Sequence, residues 1–358
     1  MISIAKILLA HAAKYPQMQV QDAVKLIYQN EFGAEHFACD ETSSLSRLSE
    51  EVASLPEGAF TPLFESIGNG AVRLNLAACE SSGLSSGLSL CTINRMFLAQ
   101  TGTAAGSERS FGRKLAVLLS LSERGLLPYN KSDVEDSIQA YRSAGVRPIS
   151  HSGVYKQAYS PAYRVIGAQF RKYAKIFMKI DRLLMEQQTV NVAIDGMCCA
   201  GKTTLARLLS QIYDCNVLHM DDFFLPAELR TKERLFSPGG NIHYERFEDQ
   251  VLKGLKSSGD FAYQRYDCDT MQLSAPVVIS RKRLNIVEGV YCLRPEWVPV
   301  YDLKIFLSTG PKRQRSRVLR RCGSTALQER FLTEWIPLEN RYFETFNIRE
   351  GCDLKYYS

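Results

Sequence analysis

A stretch of nine residues near the middle of the chain has the spacing of a phosphate-binding loop. It reads Gly196-Met197-Cys198-Cys199-Ala200-Gly201-Lys202-Thr203-Thr204 and matches the pattern GxxxxGK[ST]. The glycines allow the backbone N–H groups to point inward at phosphate oxygens, and a helix that begins at the lysine adds a favourable dipole. Lys202 is placed to reach the β- and γ-phosphates, and the Thr203 hydroxyl is placed to ligate Mg²⁺. These nine residues therefore predict a nucleotide site.

Acidic side chains follow two of the predicted strands. Asp221 and Asp222 end the apolar run 215–220, and Glu288 ends the run 283–289. An acid in such a place can accept a proton from an attacking hydroxyl, orient that hydroxyl, or hold a magnesium-bound water. The alternatives are that the two aspartates cap the following turn and that Glu288 faces solvent. Cys198 and Cys199 could carry redox chemistry, but small residues that fit a tight loop are the favoured interpretation.

The elements that must position these residues alternate in type from residue 188 onward. Short β-rich runs occur at 189–195, 215–220, 283–289 and 301–308, and a helix begins at 202. Such alternation predicts an α/β fold with a parallel sheet flanked by helices. In these sheets ligands bind at the carboxyl ends of the strands, which is where the chemistry-bearing residues lie.

Several separated motifs resemble the uridine kinase, phosphoribulokinase and pantothenate kinase group of P-loop small-molecule kinases. They are GMCCAGKTT, MDDFFLP, NIHYERF, YDCDT, NIVEGVY and RSRVLRR, in the order and spacing of that group over about residues 188–347. The resemblance implies a P-loop kinase domain that uses ATP and Mg²⁺. It also implies that Asp221 acts as the base toward the acceptor hydroxyl, whereas Asp222 aligns where uridine kinases often have serine.

Further roles are implied by the resemblance position by position. The stretch NIHYERF matches a segment whose acid holds sugar hydroxyls, which implies substrate contacts for His243 and Glu245. Tyr266 matches a substrate-pocket tyrosine. The basic run from Pro311 to Arg321, in which six of eleven residues are Lys or Arg, matches a lid whose arginines close over the phosphates. Arg317 and Arg320 align best, and a solvated helix face is the alternative for each of them.

Two departures from the group concern the identity of the acceptor. Cys268 and Met271 stand where uridine kinases place an aromatic residue and a histidine against the pyrimidine, and Pro238-Gly239-Gly240 replaces a more aromatic segment. A site that hydrogen-bonds a base loses discrimination when its donor is removed. We therefore expect a small-molecule kinase whose acceptor is not a pyrimidine nucleoside.

The front of the chain matches no family. Helical patterns dominate at 3–14, 20–30, 42–54, 90–101, 112–122 and 131–144, and Asn69-Gly70 between alternating runs predicts a β-hairpin. Polar and aromatic residues cluster in three segments and include Glu31, Glu35, His36, Arg73, His151, Tyr155, Tyr159, Tyr163 and Arg164. Ordinary helix packing is one interpretation, and an acceptor-binding, regulatory or second catalytic site is the other. We expect a mainly helical domain at 1–165, a linker helix at 166–187 and a P-loop kinase domain at 188–358.

Composition limits the class of protein. The chain has 358 residues, 45% of them hydrophobic and 23% charged, with a formal charge of +6. These values are typical of a globular protein, and no apolar run approaches the roughly 20 residues of a membrane span. The stretch MISIAKILLAHAAKY is expected to be an amphipathic helix rather than a signal peptide. The ten cysteines form no CxxC pair, and with only five histidines no zinc cluster is indicated, so free thiols in the cytoplasm are expected.

Two functional hypotheses follow. The first is an ATP- and Mg²⁺-dependent kinase that phosphorylates a hydroxyl of a small nucleoside-like, polyol or other hydroxylated metabolite. The second is an ATP-binding sensor whose front half contacts a protein or nucleic-acid partner. The mild basic charge favours the second weakly, but basic and aromatic residues are not interleaved as in nucleic-acid-binding proteins. The sequence leaves homo-oligomer formation open.

Overall fold

The chain folds into two compact units. The computed structural model describes residues 3–34, 40–55, 62–78, 87–100, 106–257 and 259–358. The units are Met1–Met178 and Lys179–Ser358. The division between the units falls inside a helix, Ala174–Glu186. Glu35 and His36 lie outside the described residues.

The first unit is mainly helical. Six of its helices agree with the expected ones in position to within a few residues. A seventh, α7, was not expected from the sequence. The helices that begin in this unit are α1 Ile4–Lys14, α2 Val20–Phe32, α3 Glu41–Ala53, α4 Leu90–Leu98, α5 Glu108–Glu123, α6 Lys131–Ser143, α7 Gly153–Tyr159, α8 Ala168–Lys172 and α9 Ala174–Glu186.

The expected hairpin is present and gains a third strand. Strands β1 (Phe64–Gly68) and β2 (Ala71–Asn75) pair antiparallel. The turn residues Asn69 and Gly70 both have positive φ, 49° and 79°, as the tight turns that suit paired strands require. Strand β3 (Tyr163–Gly167) pairs antiparallel with the other edge of β2. The front unit thus contains a three-stranded sheet in the order β1-β2-β3.

The expected linker helix from 166 is wrong in its first part. Residues Tyr163–Gly167 are strand β3, and only α8 and α9 are helical beyond it. The reason is tertiary pairing, because β2 offers a free edge and Val165 and Ile166 bury their side chains there. Helical spacing within a short segment does not reveal such a partner.

The second unit is built on the expected parallel sheet, with one more strand than expected. The order is β12-β11-β4-β10-β5, and every neighbouring pair is parallel. The strands are β4 Val190–Gly196, β5 Cys215–His219, β10 Leu284–Glu288, β11 Leu303–Ser308 and β12 Leu354–Tyr357. Four of the five were expected, and β12, a strand of only four residues, was not. Two small antiparallel pairs were also missed, namely β6 (Phe261–Tyr263) with β9 (Val277–Ile279) and β7 (Tyr266–Asp267) with β8 (Gln272–Leu273).

Helices connect the strands of the second unit. They are α10 Lys202–Ser210, α11 Lys232–Phe236, α12 Tyr244–Phe247, α13 Lys253–Lys256, α14 Pro311–Arg321, α15 Thr325–Arg330 and α16 Ile336–Thr345. A π-helical stretch, Glu248–Leu252, joins α12 to α13, and another, Phe331–Trp335, joins α15 to α16. None of the described helices combines the length and apolar character that crossing a membrane requires.

Aromatic packing fixes the segment after β5. Phe223 is fully buried and its ring lies 5.0 Å from the ring of Phe247 and 5.5 Å from that of Tyr263. The same segment pairs with residues 241–243, because the His243 amide donates to the Phe223 carbonyl at 2.7 Å. A buried phenylalanine of this kind contributes roughly 2–3 kcal/mol, so the backbone that carries Asp221 and Asp222 is held firmly.

Candidate functional site

The loop after β4 has the backbone geometry of a phosphate cradle. Gly196 and Gly201 have φ values of 135° and 103°, which favour glycine. A side chain at Gly196 would place its Cβ 2.0 Å from the carbonyl oxygen of Leu307, whereas at Gly201 no heavy atom lies within 4 Å of that position. Helix α10 begins at Lys202 directly after this curl. The loop therefore has both the curvature and the helix N-terminus that phosphate binding needs.

Lys202 lies in the loop with only neutral partners for its ammonium group. Its Nζ donates to the carbonyl oxygens of Gly196 at 2.7 Å and Met197 at 3.1 Å. No described carboxylate lies within ion-pair distance of it. A buried ammonium with such partners is suited to an anionic group that enters the loop.

Two buried carboxylates behind the loop were not anticipated. Asp195 has no exposed surface and accepts from the Gly196 and Leu293 amides and from the Tyr342 hydroxyl. Burial raises its pKa to about 6, and the Lys202 ammonium opposes that rise. Asp195 precedes the motif directly, but nothing in the string marks it as a loop support.

Glu339 is the second unanticipated acid. It lies on α16 and accepts from the Cys198 amide at 2.8 Å. Burial raises its pKa to about 7, and the Lys202 charge again acts in the opposite direction. Because Glu339 is distant from the motif in sequence, no local signal could have revealed it.

The two neighbouring aspartates have different surroundings. Both lie in a 3₁₀ turn, Met220–Phe223, that follows β5. Asp221 is exposed, and no described residue donates a hydrogen bond to its carboxylate. The protein around it raises the pKa of Asp221 by partial desolvation, the Lys202 ammonium opposes the rise, and the Glu288 carboxylate adds to it. Although protein surrounds Asp221 at longer range, its oxygens remain accessible to a hydroxyl.

Asp222 is already engaged by protein groups. Its Oδ2 accepts from the Tyr263 hydroxyl at 2.8 Å and lies 3.5 Å from Nε of Arg265. The Asp222 backbone carbonyl accepts from Arg246 at 2.8 Å. These contacts tie the turn to its neighbours, which is the supporting role considered for Asp222 as an alternative to substrate contact.

Glu288 lies beside Thr203, the other residue that was expected to hold the metal ion. It is 5% exposed, and its Oε1 accepts from the Thr203 hydroxyl at 2.9 Å. The same oxygen lies 2.6 Å from Nδ1 of His219, its register partner on β5. The hydrogen bond to Glu288 raises the pKa of His219, partial burial opposes this, and the charge of Glu288 reinforces it. His219 was not assigned a role from the sequence, although it directly precedes the MDDFF stretch.

The basic helix α14 presents one face to the loop. Arg317 donates to the Cys199 carbonyl at 2.8 Å and to the Ser358 hydroxyl at 2.9 Å. Arg320 is exposed, and its only described hydrogen bond is to the Ser316 carbonyl within the same helix. The positive charge of Arg321 instead favours the ionised forms of the Asp221 carboxyl and the Cys199 thiol. Arg320 and Arg321 lie three and four residues from Arg317, so spacing alone does not choose between them.

The residues expected to hold the acceptor lie near the aspartate turn. Hydrogen bonds to other protein groups already occupy some of their polar atoms. Glu245 forms a double hydrogen bond with Arg234 at 2.9 and 3.0 Å and lies 3.2 Å from Nδ1 of His243. Tyr266 is buried, and its hydroxyl donates to Sδ of Met271 at 3.4 Å.

Cys268 lies close enough to Asp221 for that carboxylate to affect its thiol. Partial burial raises the pKa of Cys268, the charge of Arg230 lowers it, and the charge of Asp221 raises it. The Cys268 thiol thus lies within electrostatic range of the Asp221 carboxylate.

The residues present fit a magnesium nucleotide. Among the described residues no group of three or more His, Cys, Asp and Glu side chains could hold a metal ion. Mg²⁺ in phosphate-transferring sites needs fewer protein ligands, since phosphate oxygens and waters complete its shell. Thr203 and Glu288, 2.9 Å apart at the mouth of the loop, are the donors of that kind.

The second unit has an α/β fold with a phosphate loop after its central strand. Its five parallel strands, with the phosphate-loop strand β4 at the centre, are flanked by helices as the motifs predicted. The expected fold class is therefore confirmed for this half of the chain.

Comparisons with solved structures cover about half of the chain. A possible uridine kinase from Bacillus stearothermophilus is 24% identical over 51% of this chain and 99% of its own, with a TM-score of 0.38. A protein provisionally assigned as a fructose transport system kinase, from a Silicibacter species, is 21% identical over 49% and 96%, with a TM-score of 0.41. D-glycerate 3-kinase from Cryptococcus neoformans is 11% identical over 53% and 95%, with a TM-score of 0.39. No protein-family model matches the chain, and no curated protein matches it.

Proposed function

We propose that the protein is a kinase that uses ATP and Mg²⁺ to phosphorylate a hydroxyl group of a small metabolite. The observation that carries the proposal is the contrast between Asp221 and Asp222. Asp222 is held by Tyr263 and Arg265, whereas no described residue hydrogen-bonds the Asp221 carboxylate. An exposed acid beside a phosphate loop, with free acceptor oxygens, is what an incoming hydroxyl requires.

The loop residues Gly196 to Thr204 would hold the nucleotide phosphates through backbone N–H groups. When bound, ATP supplies the phosphoryl group and Mg²⁺ neutralises charge on its oxygens. Thr203 and Glu288 would hold the ion. Lys202 would exchange its bonds to the Gly196 and Met197 carbonyls for phosphate oxygens, which is favourable because charged acceptors form the stronger hydrogen bonds.

The phosphoryl group that is transferred requires positive charge on the side that the phosphate loop does not cover. We assign this role to the face of α14 that carries Arg317 and Arg321, because Arg317 donates to the Cys199 carbonyl of the loop and the positive charge of Arg321 acts on the Cys199 thiol. Arg320 would need to leave its contact with Ser316 to take part. Asp221 would orient the acceptor hydroxyl and take its proton, and its raised pKa brings it closer to the range useful for proton transfer at neutral pH.

The acceptor side favours a polyol or another hydroxylated compound. Glu245, His243 and Tyr266 would contact it, with Glu245 already oriented by Arg234. Cys268 and Met271 supply no edge donor for a pyrimidine, which speaks against uridine and cytidine. The proposal includes a cytoplasmic location, supported by the eight free cysteines among the described residues.

The test is a panel of hydroxylated metabolites, each assayed for ADP formation with the wild-type chain. Acceptor-dependent ADP formation that is lost in Asp221→Asn while ATP binding persists supports the proposal. ATP binding without turnover on any acceptor would instead favour the nucleotide-sensor hypothesis.

A further inference from the structure

The first unit contains a cavity that the proposed kinase chemistry does not use. Its volume is about 670 Å³, and all of its lining residues belong to that unit. This size is within the range of pockets that bind small organic molecules. Its lining comes from α2, α3, α4, α7 and β3 and from the segments beside them.

Positive charge dominates the lining. Among the described lining residues four side chains are basic, namely Lys25, Arg47, Lys156 and Arg164, and Glu51 is the one acid. Arg164 is paired with Glu51 at 2.8 Å. No carboxylate of the described residues lies within ion-pair distance of Lys25, Arg47 or Lys156. The cavity therefore carries three positive charges that the described part of the chain does not neutralise.

Lys25 illustrates the energetic cost of this excess positive charge. It is half-buried, and its Nζ donates to the Ile149 carbonyl. Burial lowers its pKa to about 8, the charges of Arg73 and Lys156 lower it too, and Asp22 opposes them. Holding a partly desolvated ammonium near two other cations is costly. A bound anion would remove that cost.

A network of hydrogen-bonded polar side chains lies beside these cations. His151 lies 2.7 Å from Asp22 through Nδ1 and 2.6 Å from the Tyr163 hydroxyl through Nε2. Gln29 donates to the Tyr163 hydroxyl at 3.2 Å and accepts from the buried Arg73 at 2.8 Å. Burial lowers the pKa of His151 although the Asp22 hydrogen bond raises it, so the imidazole is neutral at pH 7. Asp22 is therefore the acceptor for Nδ1–H, and Nε2 accepts from Tyr163.

Each side chain of this network is held by a hydrogen bond to the next, so the network is ordered before any ligand binds. Such preorganisation lowers the entropy lost on binding. Phe97, Pro161 and Val165 supply apolar surface on the same cavity, which suits the carbon skeleton of a metabolite rather than a bare inorganic ion.

We propose that this cavity is a binding site for a small organic molecule with two or more negative charges, such as a phosphate ester or a polycarboxylate. Its anionic groups would contact Lys25, Lys156 and Arg47, and its carbon skeleton would lie against Phe97 and Val165. The site is independent of the phosphate loop, and the front unit is thereby a ligand-binding domain.

The experiment is calorimetric titration of the full-length chain with ribose 5-phosphate, with citrate, and with uncharged ribose as the control. The variants are Lys25→Gln, Lys156→Gln, the matched surface control Lys6→Gln, and Lys202→Ala, which weakens anion binding at the loop. Lys156 is exposed, so its variant keeps the test valid if Lys25→Gln folds poorly.

We expect at least one anion to bind, with an affinity about tenfold or more lower in Lys25→Gln and in Lys156→Gln, since each loses a charge-assisted hydrogen bond. Lys6→Gln and Lys202→Ala should bind it as the wild type does. Comparison of ribose 5-phosphate with citrate then shows whether the anionic group that the cavity binds is a phosphate or a carboxylate. The proposal is overturned if neither anion binds, if ribose binds equally well, or if only Lys202→Ala reduces the affinity.

Discussion

The Thr203 hydroxyl donates a hydrogen bond to the Glu288 carboxylate across 2.9 Å. The two residues come from different elements, the start of α10 and the end of β10. They meet because β10 lies beside β4, whose carboxyl end leads into the phosphate loop. His219 approaches the same carboxylate oxygen from β5 at 2.6 Å. The pair is therefore positioned by the strand order of the sheet, before any metal ion binds.

This relationship predicts a change in magnesium dependence when the hydroxyl is removed. Thr203→Val should raise the Mg²⁺ concentration for half-maximal ADP formation by about tenfold or more, as loss of a metal-site contact typically does. Thr203→Ser keeps the hydroxyl and should behave like the wild type. The measurement is ADP formation over a range of Mg²⁺ concentrations at saturating ATP. An unchanged dependence in Thr203→Val would show that Thr203 does not serve the ion.

Glu339 gives a prediction about stability and pH. Its pKa is raised from 4.5 to about 7, so the unfolded chain releases this proton first as the pH rises. The free energy of unfolding of the wild type therefore falls as the pH rises from 4.5 to 7. Glu339→Gln has no such proton and keeps an acceptor for the Cys198 amide. The variant should match the wild type near pH 4.5 and exceed it at pH 8 by up to about 3 kcal/mol.

Tryptophan fluorescence can follow this change in the second unit alone. Both tryptophans of the chain, Trp297 and Trp335, lie in that unit. Denaturant unfolding of the wild type and Glu339→Gln at pH 5 and pH 8 gives the comparison. A variant that is less stable than the wild type at pH 8 would mean that the Glu339 charge supports the loop instead of straining it.

Cys199 is predicted to react before Cys268. The neighbouring Cys198 thiol lowers the pKa of Cys199, burial opposes this, and the positive charge of Arg321 lowers it further. Thiolates are the reactive form, so iodoacetamide at pH 7 should modify Cys199 before the exposed Cys268, whose pKa is raised. Mass spectrometry at short reaction times measures the order. ATP should slow modification of Cys199 and leave Cys268 unaffected, and equal rates at the two sites would contradict the assignment.

The loop and the sheet could be predicted from sequence because their signals are local. The string from Gly196 to Thr204 contains its own strand end and helix start, and the turn Asn69-Gly70 contains its own backbone requirement. Strand β3 was not predicted, and its last two residues were placed in the linker helix, because its pairing partner, β2, lies far away in the chain. Local patterns identify an element when its conformation is set by neighbouring residues, and they fail when a distant partner sets it.

The site shows the same division. Asp221 and Glu288 were predicted as site residues because they lie at strand ends, and Thr203 because it belongs to the GxxxxGK[ST] string. Glu339 and Asp195 support the loop through burial, which no spacing reveals. Arg320 and Arg321 lie three and four residues from Arg317, so both can share its helix face and spacing alone does not choose between them.

The central claim is that Asp221 takes the proton of an acceptor hydroxyl. Asp222 offers a neighbouring control, because Asp222→Asn keeps an oxygen that can accept from Tyr263. The direct measurement is acceptor-dependent ADP formation by wild type, Asp221→Asn and Asp222→Asn, with ATP affinity measured in parallel. We predict that Asp221→Asn loses turnover by about 10²–10⁴-fold with ATP affinity within about twofold of the wild type, and that Asp222→Asn retains most of its turnover. Normal turnover in Asp221→Asn, with an acceptor that the wild type phosphorylates, would contradict the claim.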